Sequence, residues 1–257
     1  MSDLIAQPVR QACILVGGKG TRLGEVTRTA PKPLVEIRGD TVFLDIVIDQ
    51  LARQGFDDIV LLAGYLGELV HARYDGRSFG GARLRVVVEP EPLGTAGALV
   101  AARGIIAPRF AMLNGDTFFD IDLQALCAGG DAGCEALIAL HQVSDASRYG
   151  SVVLDGSRVV RFVEKRQAAG AGLINAGVYV LGADILDRIR ALPCSMETGV
   201  FPALAQQRKL CGRVCEGYFI DIGLPETLQQ ARRELAALAP RTGEFGGVES
   251  ALLERLE

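Results

Sequence analysis

The segment 17–23, Gly-Gly-Lys-Gly-Thr-Arg-Leu, directly follows the apolar run 12–16. In an open α/β sheet, ligands bind outside the carboxyl ends of the strands, and glycines there let backbone N–H groups approach phosphate oxygens closely. The segment therefore predicts a phosphate-binding loop, with a simple tight turn as the alternative. It does not fit the dinucleotide fingerprint, because Leu23 stands where Gly or Ala is needed. It does not fit the Walker pattern either, because Gly20 follows Lys19.

Positive charge is concentrated nearby, in a chain whose formal net charge is −4. Lys32 lies between Pro31 and Pro33, whose fixed φ favours an extended backbone and holds the ammonium on a stiff segment. Three further cations precede it: Lys19, Arg22 and Arg28. Together the four charges predict a local field suited to a polyphosphate, with a run of solvated surface charges as the alternative.

Two aspartates follow short apolar runs. Asp116 ends the triplet Asn-Gly-Asp after the run 110–113, and Asp221 follows a second run. Because Mg²⁺ prefers oxygen ligands and shares its shell with substrate phosphates, a carboxylate at a strand end beside a phosphate-binding loop is a candidate ligand. Each aspartate could instead cap a helix or form a turn. Asp120 and Asp122 match the metal motif of sugar transferases, but Asp122 precedes an apolar helical stretch, so we interpret it as an N-cap.

Hydrophobic periodicity predicts alternating strands and helices in the first half of the chain. Strands are predicted at 12–16, 58–63, 84–88 and 109–113, and helices at 43–54, 66–74 and 95–103. The second half is richer in strands, predicted at 135–140, 151–154, 159–163 and 174–180, with helices at 183–190 and 226–238. The predicted fold class is α/β: a single Rossmann-like αβα sandwich with a mixed, mainly parallel central sheet and a β-rich extension. Residues 240–257 are predicted to form a linker and a short C-terminal helix, which packs on the body or on a second subunit.

Composition excludes several classes of protein. Of 257 residues, 49% are hydrophobic and 23% charged, which disfavours disorder and fibrous repeats. The acidic net charge argues against nucleic-acid binding, and no apolar run approaches the ~20 residues of a membrane-spanning helix. The six cysteines include no Cys-x-x-Cys pair and the chain has two histidines, so a zinc site is not expected. We therefore expect a soluble, cytoplasmic protein with reduced thiols.

Seven sequence blocks, in order along the chain, resemble the sugar-1-phosphate nucleotidylyltransferases. They are the glycine-rich segment 17–23, Pro-Lys-Pro at 31–33, Pro-Leu-Gly-Thr at 92–95, Asn-Gly-Asp at 114–116, Val-Glu-Lys at 163–165, Asn-Ala-Gly at 175–177 and Asp-Ile-Gly at 221–223. Blocks 92–97 and 147–150 are similar to the branch that makes GDP-mannose and GDP-manno-heptose. The resemblance implies one domain over residues 1–239, with a nucleotide-binding part at about 10–130 and a sugar-phosphate-binding part at about 131–239.

The resemblance also implies roles for individual residues. Arg22, Lys32 and Asp116 would be catalytic, with Arg22 on the β- and γ-phosphates and Lys32 stabilising charge at the α-phosphorus. Asp116 and Asp221 would bind Mg²⁺. Nucleotide contacts are implied for Gly17, Gly18, Gly20, Thr21, Gly94 and Thr95, and sugar-phosphate contacts for Gly150, Glu164, Lys165, Asn175 and Gly177. The pair Gly24-Glu25 departs from the family, which often has Arg-Pro there.

The implied reaction transfers a nucleotidyl group from a nucleoside triphosphate to a sugar 1-phosphate and releases pyrophosphate. A sugar-phosphate oxygen is already a nucleophile at neutral pH, so positioning and charge neutralisation suffice without a Ser, Cys or His base. Glu89, at the end of the predicted strand 84–88, is a further candidate nucleotide contact. A carboxylate only accepts hydrogen bonds, which suits guanine N1–H and N2–H₂, or a cytosine amino group, better than uracil or thymine carbonyls.

We therefore expect GTP and a manno-configured hexose or heptose 1-phosphate as substrates, with no nucleic-acid or membrane partner and with a homo-oligomer possible. Three alternatives remain open at this point. The same reaction could use UTP, CTP, dTTP or ATP. The chain could be a GT-A-type glycosyltransferase with its metal at Asp120 and Asp122, or a catalytically silent regulatory homologue.

Overall fold

The computed structural model describes residues 8–18, 20–129, 133–163 and 170–238. Three residues that the sequence analysis singled out, Lys19, Glu164 and Lys165, lie outside the described residues, as does the predicted C-terminal helix.

Fourteen strands and six helices are described. The strands are β1 (Gln11–Val16), β2 (Glu36–Arg38), β3 (Thr41–Val42), β4 (Asp58–Ala63), β5 (Ser78–Phe79), β6 (Ala82–Val88), β7 (Arg109–Asn114), β8 (Thr117–Phe119), β9 (Ala136–Val143), β10 (Ser151–Asp155), β11 (Arg158–Val163), β12 (Gly172–Gly182), β13 (Leu210–Val214) and β14 (Phe219–Asp221). The helices are α1 (Phe43–Arg53), α2 (Gly67–Tyr74), α3 (Gly94–Ala101), α4 (Leu123–Ala128), α5 (Phe201–Gln206) and α6 (Pro225–Glu234). Among the shorter elements, 3₁₀ helices lie at Thr21–Thr27, Lys32–Leu34, Arg103–Ile105 and Ala183–Arg188.

Ten of the described strands form one sheet in the order β10-β11-β13-β9-β12-β7-β1-β4-β6-β5. Strands β7, β1, β4 and β6 are parallel neighbours at its centre. Among the outer strands, β9, β13 and β10 run in the same direction as the four central strands, whereas β12, β11 and β5 run in the opposite direction. The predicted mixed, mainly parallel sheet is therefore confirmed. From β1 the parallel strands β4 and β6 follow on one side of the sheet, whereas the later strand β7 lies on the other side. The strand order therefore reverses at β1, and its carboxyl end is a topological switch point.

Each face of the sheet packs against helices because successive side chains of a strand point to opposite faces. On β1, Ile14 belongs to a core cluster that includes Phe43 of α1 and Leu228 of α6. Its neighbour Cys13 belongs to a second cluster, which includes Leu99 of α3 and Phe201 of α5. The two clusters are the two halves of an αβα sandwich, as predicted.

The second half of the chain departs from the prediction in detail. The helix predicted at 183–190 is one 3₁₀ helix, Ala183–Arg188, which suffices to bury Ile185 and Leu186 side by side. The chain then turns back towards α3, where Cys194 N donates to Leu93 O at 2.8 Å. Strand β13 and helix α5 were not predicted, and α6 ends at Glu234 instead of residue 238.

Asp122 is an N-cap, as interpreted from the sequence, since its side chain accepts a hydrogen bond from Ala125 N at 2.8 Å. The expectation of reduced thiols is wrong for two cysteines, because Cys134, two residues before β9, forms a disulfide with Cys211 of β13. The other four cysteines are free, and Cys13 and Cys127 among them are buried. No helix within the described ranges has the length and apolar character needed to cross a bilayer.

Candidate functional site

A cleft of about 620 Å³ opens at the carboxyl ends of the four central parallel strands. The residues that follow these strands line it: Gly17 after β1, Gly64 after β4, Glu89 after β6 and Asp116 after β7. Gly17 and Gly64 approach closely, since a Cβ on Gly64 would lie 3.0 Å from Gly17 Cα. The cleft therefore lies at the switch point, where open α/β sheets bind ligands.

The glycine-rich segment forms one wall of this cleft. Gly20 has φ +60°, and a Cβ there would lie 2.8 Å from Thr27 Cγ2, so the position requires glycine. Its carbonyl accepts hydrogen bonds from Leu23 N at 2.8 Å and Thr27 Oγ1 at 3.0 Å, which closes the turn. Thr21 and Arg22 are exposed on the following 3₁₀ helix and line the cleft. The loop thus presents a cation and backbone groups to a ligand.

Lys32 lies on the floor of the cleft, where its Nζ is 2.5 Å from Asp116 Oδ2. The lysine side chain is only 12% exposed, whereas that of Asp116 is 34% exposed. The prolines at 31 and 33 hold this segment, and Pro33 is buried. Lys32 therefore presents a nearly buried positive charge at a fixed position.

The backbone brings Asp116, which directly precedes β8, next to Asp221, the last residue of β14. In the ribbon of β8 and β14, Thr117 pairs with Asp221, and Ile222 N donates to Asp116 O at 2.9 Å. Asp221 Oδ1 accepts from Gly223 N at 2.9 Å, and its Oδ2 accepts from the Tyr149 hydroxyl. Desolvation, followed by the hydrogen bond to Asp221, raises the pKa of Tyr149.

Two carboxylates on paired segments provide the oxygen ligands that Mg²⁺ takes, and Mg²⁺ keeps room for water and substrate phosphates. No group of three or more His, Cys, Asp or Glu side chains within the described ranges is arranged to hold a metal ion. The pair formed by Asp116 and Asp221 therefore fits a metal that is bound jointly with a substrate, and not a cage made by the protein alone.

The described residues among those predicted to contact the sugar phosphate, Gly150, Asn175 and Gly177, lie beside the cleft. Asn175 Nδ2 donates to the Tyr179 hydroxyl at 3.0 Å, and its Oδ1 accepts from Gly177 N at 3.0 Å. A Cβ on Gly177, which has φ +71°, would lie 2.7 Å from Asn114 Nδ2. Gly150 is buried next to Tyr149, the partner of Asp221. These residues therefore form a layer that contacts the cleft residue Asn114 and, through Tyr149, reaches Asp221.

The wall at the end of β6 contains the predicted nucleotide contacts Glu89, Gly94 and Thr95. Glu89 Oε2 accepts from Leu93 N at 2.8 Å. Burial raises the pKa of Glu89, and the Leu93 hydrogen bond partly opposes this shift. The Thr95 hydroxyl donates to Glu197 Oε2 and accepts from Met196 N, both at 2.8 Å. The hydroxyl of Thr95 is thus engaged by the protein itself.

Sequence reasoning missed several residues of the cleft and its surroundings. Asn114 lies in the block 114–116 and Tyr149 in the block 147–150, so the sequence marked both positions, but no role was predicted for either side chain. Tyr65, which lines the cleft directly after β4 and Gly64, had the signal of a strand-end position. Glu197 lies in a segment with no motif, and nothing in the sequence pointed to it.

Comparison with known proteins adds independent findings. A model of the nucleotidyl transferase family matches residues 11–237. The D-glycero-alpha-D-manno-heptose 1-phosphate guanylyltransferase of Campylobacter jejuni is 37% identical over 220 residues, covering 84% of this chain and 96% of that protein. The mannose-1-phosphate guanyltransferase of Schizosaccharomyces pombe is 40% identical over 224 residues, covering 84% of this chain and 61% of that protein. The chain thus spans nearly all of the first relative and about three fifths of the second.

Solved structures give a matching result. The crystal structure of HddC from Yersinia pseudotuberculosis superposes with a TM-score of 0.76 at 31% identity, covering 88% of this chain and 100% of that one. A second structure of HddC, complexed with GMP-PN, gives a TM-score of 0.75 over the same shares of the two chains.

Proposed function

Because the chain belongs to the nucleotidyl transferase family, we propose that it transfers a guanylyl group from GTP to a manno-configured sugar 1-phosphate and releases pyrophosphate. The observation that carries this proposal is the convergence of Arg22, Lys32 and Asp116 in one cleft at the switch point. The Campylobacter and Schizosaccharomyces relatives, named as heptose and mannose 1-phosphate guanyl transfer enzymes, support the choice of reaction and sugar class.

In this proposal the chain works by positioning and charge neutralisation. The sugar phosphate attacks the α-phosphorus, and two anions must come into contact, with a repulsion of ~4 kcal/mol per pair of unit charges at 4 Å and an effective dielectric constant near 20. Lys32, which pairs with Asp116 in the cleft, would offset charge at the α-phosphorus. Arg22 and the backbone N–H groups of the glycine loop would contact the β- and γ-phosphates of the leaving group.

Asp116 and Asp221 would hold Mg²⁺, which would neutralise phosphate charge when bound. On the sugar side, Gly150, Asn175 and Gly177, together with Glu164 and Lys165, would contact the sugar phosphate. The layer of Asn175 and Tyr179, adjacent to Asn114 in the cleft, supports this assignment.

Glu89 would select guanine. Its Oε2 accepts from Leu93 N, while its Oε1 lies close to the glycine loop, since a Cβ on Gly17 would be 3.4 Å from it. An ionised carboxylate at that position accepts from guanine N1–H and N2–H₂ but gains nothing from a base edge that offers only carbonyls. The HddC structure complexed with GMP-PN supports a guanine nucleotide as the ligand of this fold.

The two parts of the chain would divide the work, with about 10–130 binding the nucleotide and about 131–239 the sugar phosphate. This division is supported by the cleft itself, since most of its lining residues precede residue 117 while Glu197 and Gly223 come from the second part. We propose the cytoplasm as the site of the reaction, because charged phosphate esters do not cross a lipid bilayer unaided.

The decisive experiment measures pyrophosphate release with Mg²⁺, each nucleoside triphosphate and a panel of sugar 1-phosphates. The proposal expects release that needs both substrates and is fastest with GTP and a manno-configured sugar. Hydrolysis of a nucleotide sugar without pyrophosphate would indicate a glycosyltransferase. Silence over the whole panel would indicate a catalytically inactive homologue, and a preference for another base would refute the role of Glu89.

A further inference from the structure

Glu197 brings a carboxylate into the cleft from the second half of the chain. Its Oε2 accepts two hydrogen bonds, from Thr95 Oγ1 and from Ser195 Oγ, each at 2.8 Å. Among the described residues, Oε1 of the same carboxylate accepts no hydrogen bond. One oxygen therefore fixes the side chain and the other is available to a ligand.

The backbone around Glu197 is held as firmly as the side chain. Cys194 N donates to Leu93 O at 2.8 Å, and Cys194 O accepts from Ala96 N at 3.0 Å and Gly97 N at 3.2 Å. Gly94 makes this approach possible, because a Cβ there would lie 2.4 Å from Cys194 O. These contacts preorganise the Glu197 carboxylate against the nucleotide-side wall of the cleft.

The charge of Glu197 limits what it can bind. A carboxylate repels phosphate oxygens and only accepts hydrogen bonds, so its partner must be an O–H or N–H group. Burial, followed by the negative charge of Glu197, raises the pKa of Tyr179, which places the carboxylate near the layer formed by Tyr179 and Asn175. The carboxylate of Glu197 is therefore suited to an uncharged, hydroxyl-bearing part of a substrate and not to its phosphates.

We propose that Glu197 is a specificity-determining residue whose Oε1 accepts a hydrogen bond from a substrate hydroxyl. This inference rests on the proposed function, which supplies two sources of such a hydroxyl: the sugar 1-phosphate and the ribose of the nucleotide. A hydrogen bond to an ionised group contributes enough that its loss lowers kcat/KM by about 10- to 100-fold.

The test is a cycle between enzyme and substrate variants. We would measure kcat/KM for wild type and Glu197→Gln with mannose 1-phosphate and its monodeoxy analogues, and with GTP and its 2′- and 3′-deoxy analogues. Glu197→Gln keeps an oxygen for Thr95 and Ser195 and should therefore fold normally. Glu68→Gln, on the exposed surface of α2, is the matched control and should leave every rate unchanged.

The proposal expects Glu197→Gln to lower kcat/KM by about 10-fold or more with the full substrates. With the one analogue that lacks the recognised hydroxyl, wild type and variant should become equal, because the interaction is already absent. If the two enzymes become equal with a deoxy sugar 1-phosphate, the hydroxyl that Glu197 recognises belongs to the sugar. If they become equal with a deoxy GTP analogue, it belongs to the ribose.

Two results would overturn the inference while leaving the proposed function intact. One is a Glu197→Gln enzyme with wild-type kinetics, and the other is an equal loss with every analogue, which is what a purely structural role predicts. If wild type itself releases no pyrophosphate with any substrate pair, the proposed function fails, and the inference fails with it. Ser195→Ala gives a second check, because it removes one hydrogen bond that holds the Glu197 carboxylate but keeps the carboxylate. It should lower kcat/KM with the full substrates by a smaller factor than Glu197→Gln.

Discussion

Lys32 and Asp116, 84 residues apart in the chain, form an ion pair with 2.5 Å between Nζ and Oδ2 at the floor of the cleft. Lys32 comes from the segment that follows β1 and the glycine loop. Asp116 follows β7, the strand next to β1 in the sheet. The pair therefore joins the two loops that meet at the switch point. It orients the ammonium while leaving Asp116 exposed enough to bind a ligand.

The first prediction concerns this pair. Lys32→Met and Asp116→Asn should each lower kcat by about 10²- to 10³-fold, because each removes preorganised charge from the reacting centre. Steady-state pyrophosphate release measures the effect, and thermal melts followed by circular dichroism report folding. Lys209→Met is the matched control, because Lys209 also forms a 2.6 Å ion pair, with Glu135, but does not line the cleft. Near-normal turnover of folded Lys32→Met would remove Lys32 from the catalytic set.

The second prediction concerns Gly94. Gly94→Ala should lower the free energy of unfolding by about 1–2 kcal/mol from its φ of +79° and by about 1–3 kcal/mol more from the clash with Cys194 O. Urea denaturation measures this loss. Gly76→Ala separates the two causes, since Gly76 has φ +71° but open space around its Cβ position, and should show the first loss alone. Equal losses in the two variants would show that the contact with Cys194 is unimportant.

The third prediction concerns the buried carboxylate of Asp45, which is 1% exposed. It accepts hydrogen bonds from the Tyr74 hydroxyl at 2.6 Å, Arg73 Nη2 at 2.7 Å and Val42 N at 2.9 Å. Asp45→Ala should cost about 3–5 kcal/mol of unfolding free energy, because it leaves buried donors and a charge without their partner.

Its control is Asp57→Ala, which breaks an exposed ion pair with Arg10 and should cost only about 0–1 kcal/mol. Chemical denaturation of both variants tests the contrast. A loss below about 1 kcal/mol in Asp45→Ala would mean that the network contributes little to stability.

The fourth prediction follows from the pKa of Glu89, which burial raises above its ordinary value. A raised pKa in the folded state means that protonated Glu89 stabilises the fold at low pH, and that this contribution is lost as the pH rises through the folded-state pKa. Glu89→Gln carries no charge to desolvate. It should therefore melt at a higher temperature than wild type at pH 7, and the difference should disappear below about pH 4.

Melting curves across this pH range measure the effect, with Glu91→Gln, an exposed neighbour in the same loop, as control. If Glu89→Gln still melted at a higher temperature than wild type below about pH 4, the ionisation of Glu89 would not be the cause of the difference. At pH 7 the same variant should lose its preference for GTP when GTP, ATP, CTP, UTP and dTTP compete. Unchanged selectivity would separate the stability effect from base recognition.

The central strands could be predicted because each contains a short apolar run that ends at a glycine or a polar residue, although β6 is interrupted by Arg83 and Arg85. Strand β4 was predicted at its observed bounds, 58–63, and β1, β6 and β7 within two residues. Strand β13 could not be predicted in this way. Its five residues include Gly212 and Arg213, and only its position between β11 and β9 makes it a strand.

The sequence by itself determined the local elements and the loops that follow the central strands, because hydrophobic period, glycine and proline act within a few residues. Parallel strands present their carboxyl ends at one edge, so the meeting of the glycine loop, Glu89 and Asp116 in one cleft followed from the pattern. Only the tertiary structure decided which distant residues join them. Asp221 reaches Asp116 through the pairing of β14 with β8, and Glu197 reaches Thr95 across 102 residues. Such contacts depend on how separate elements pack, and no local pattern of residues encodes that packing.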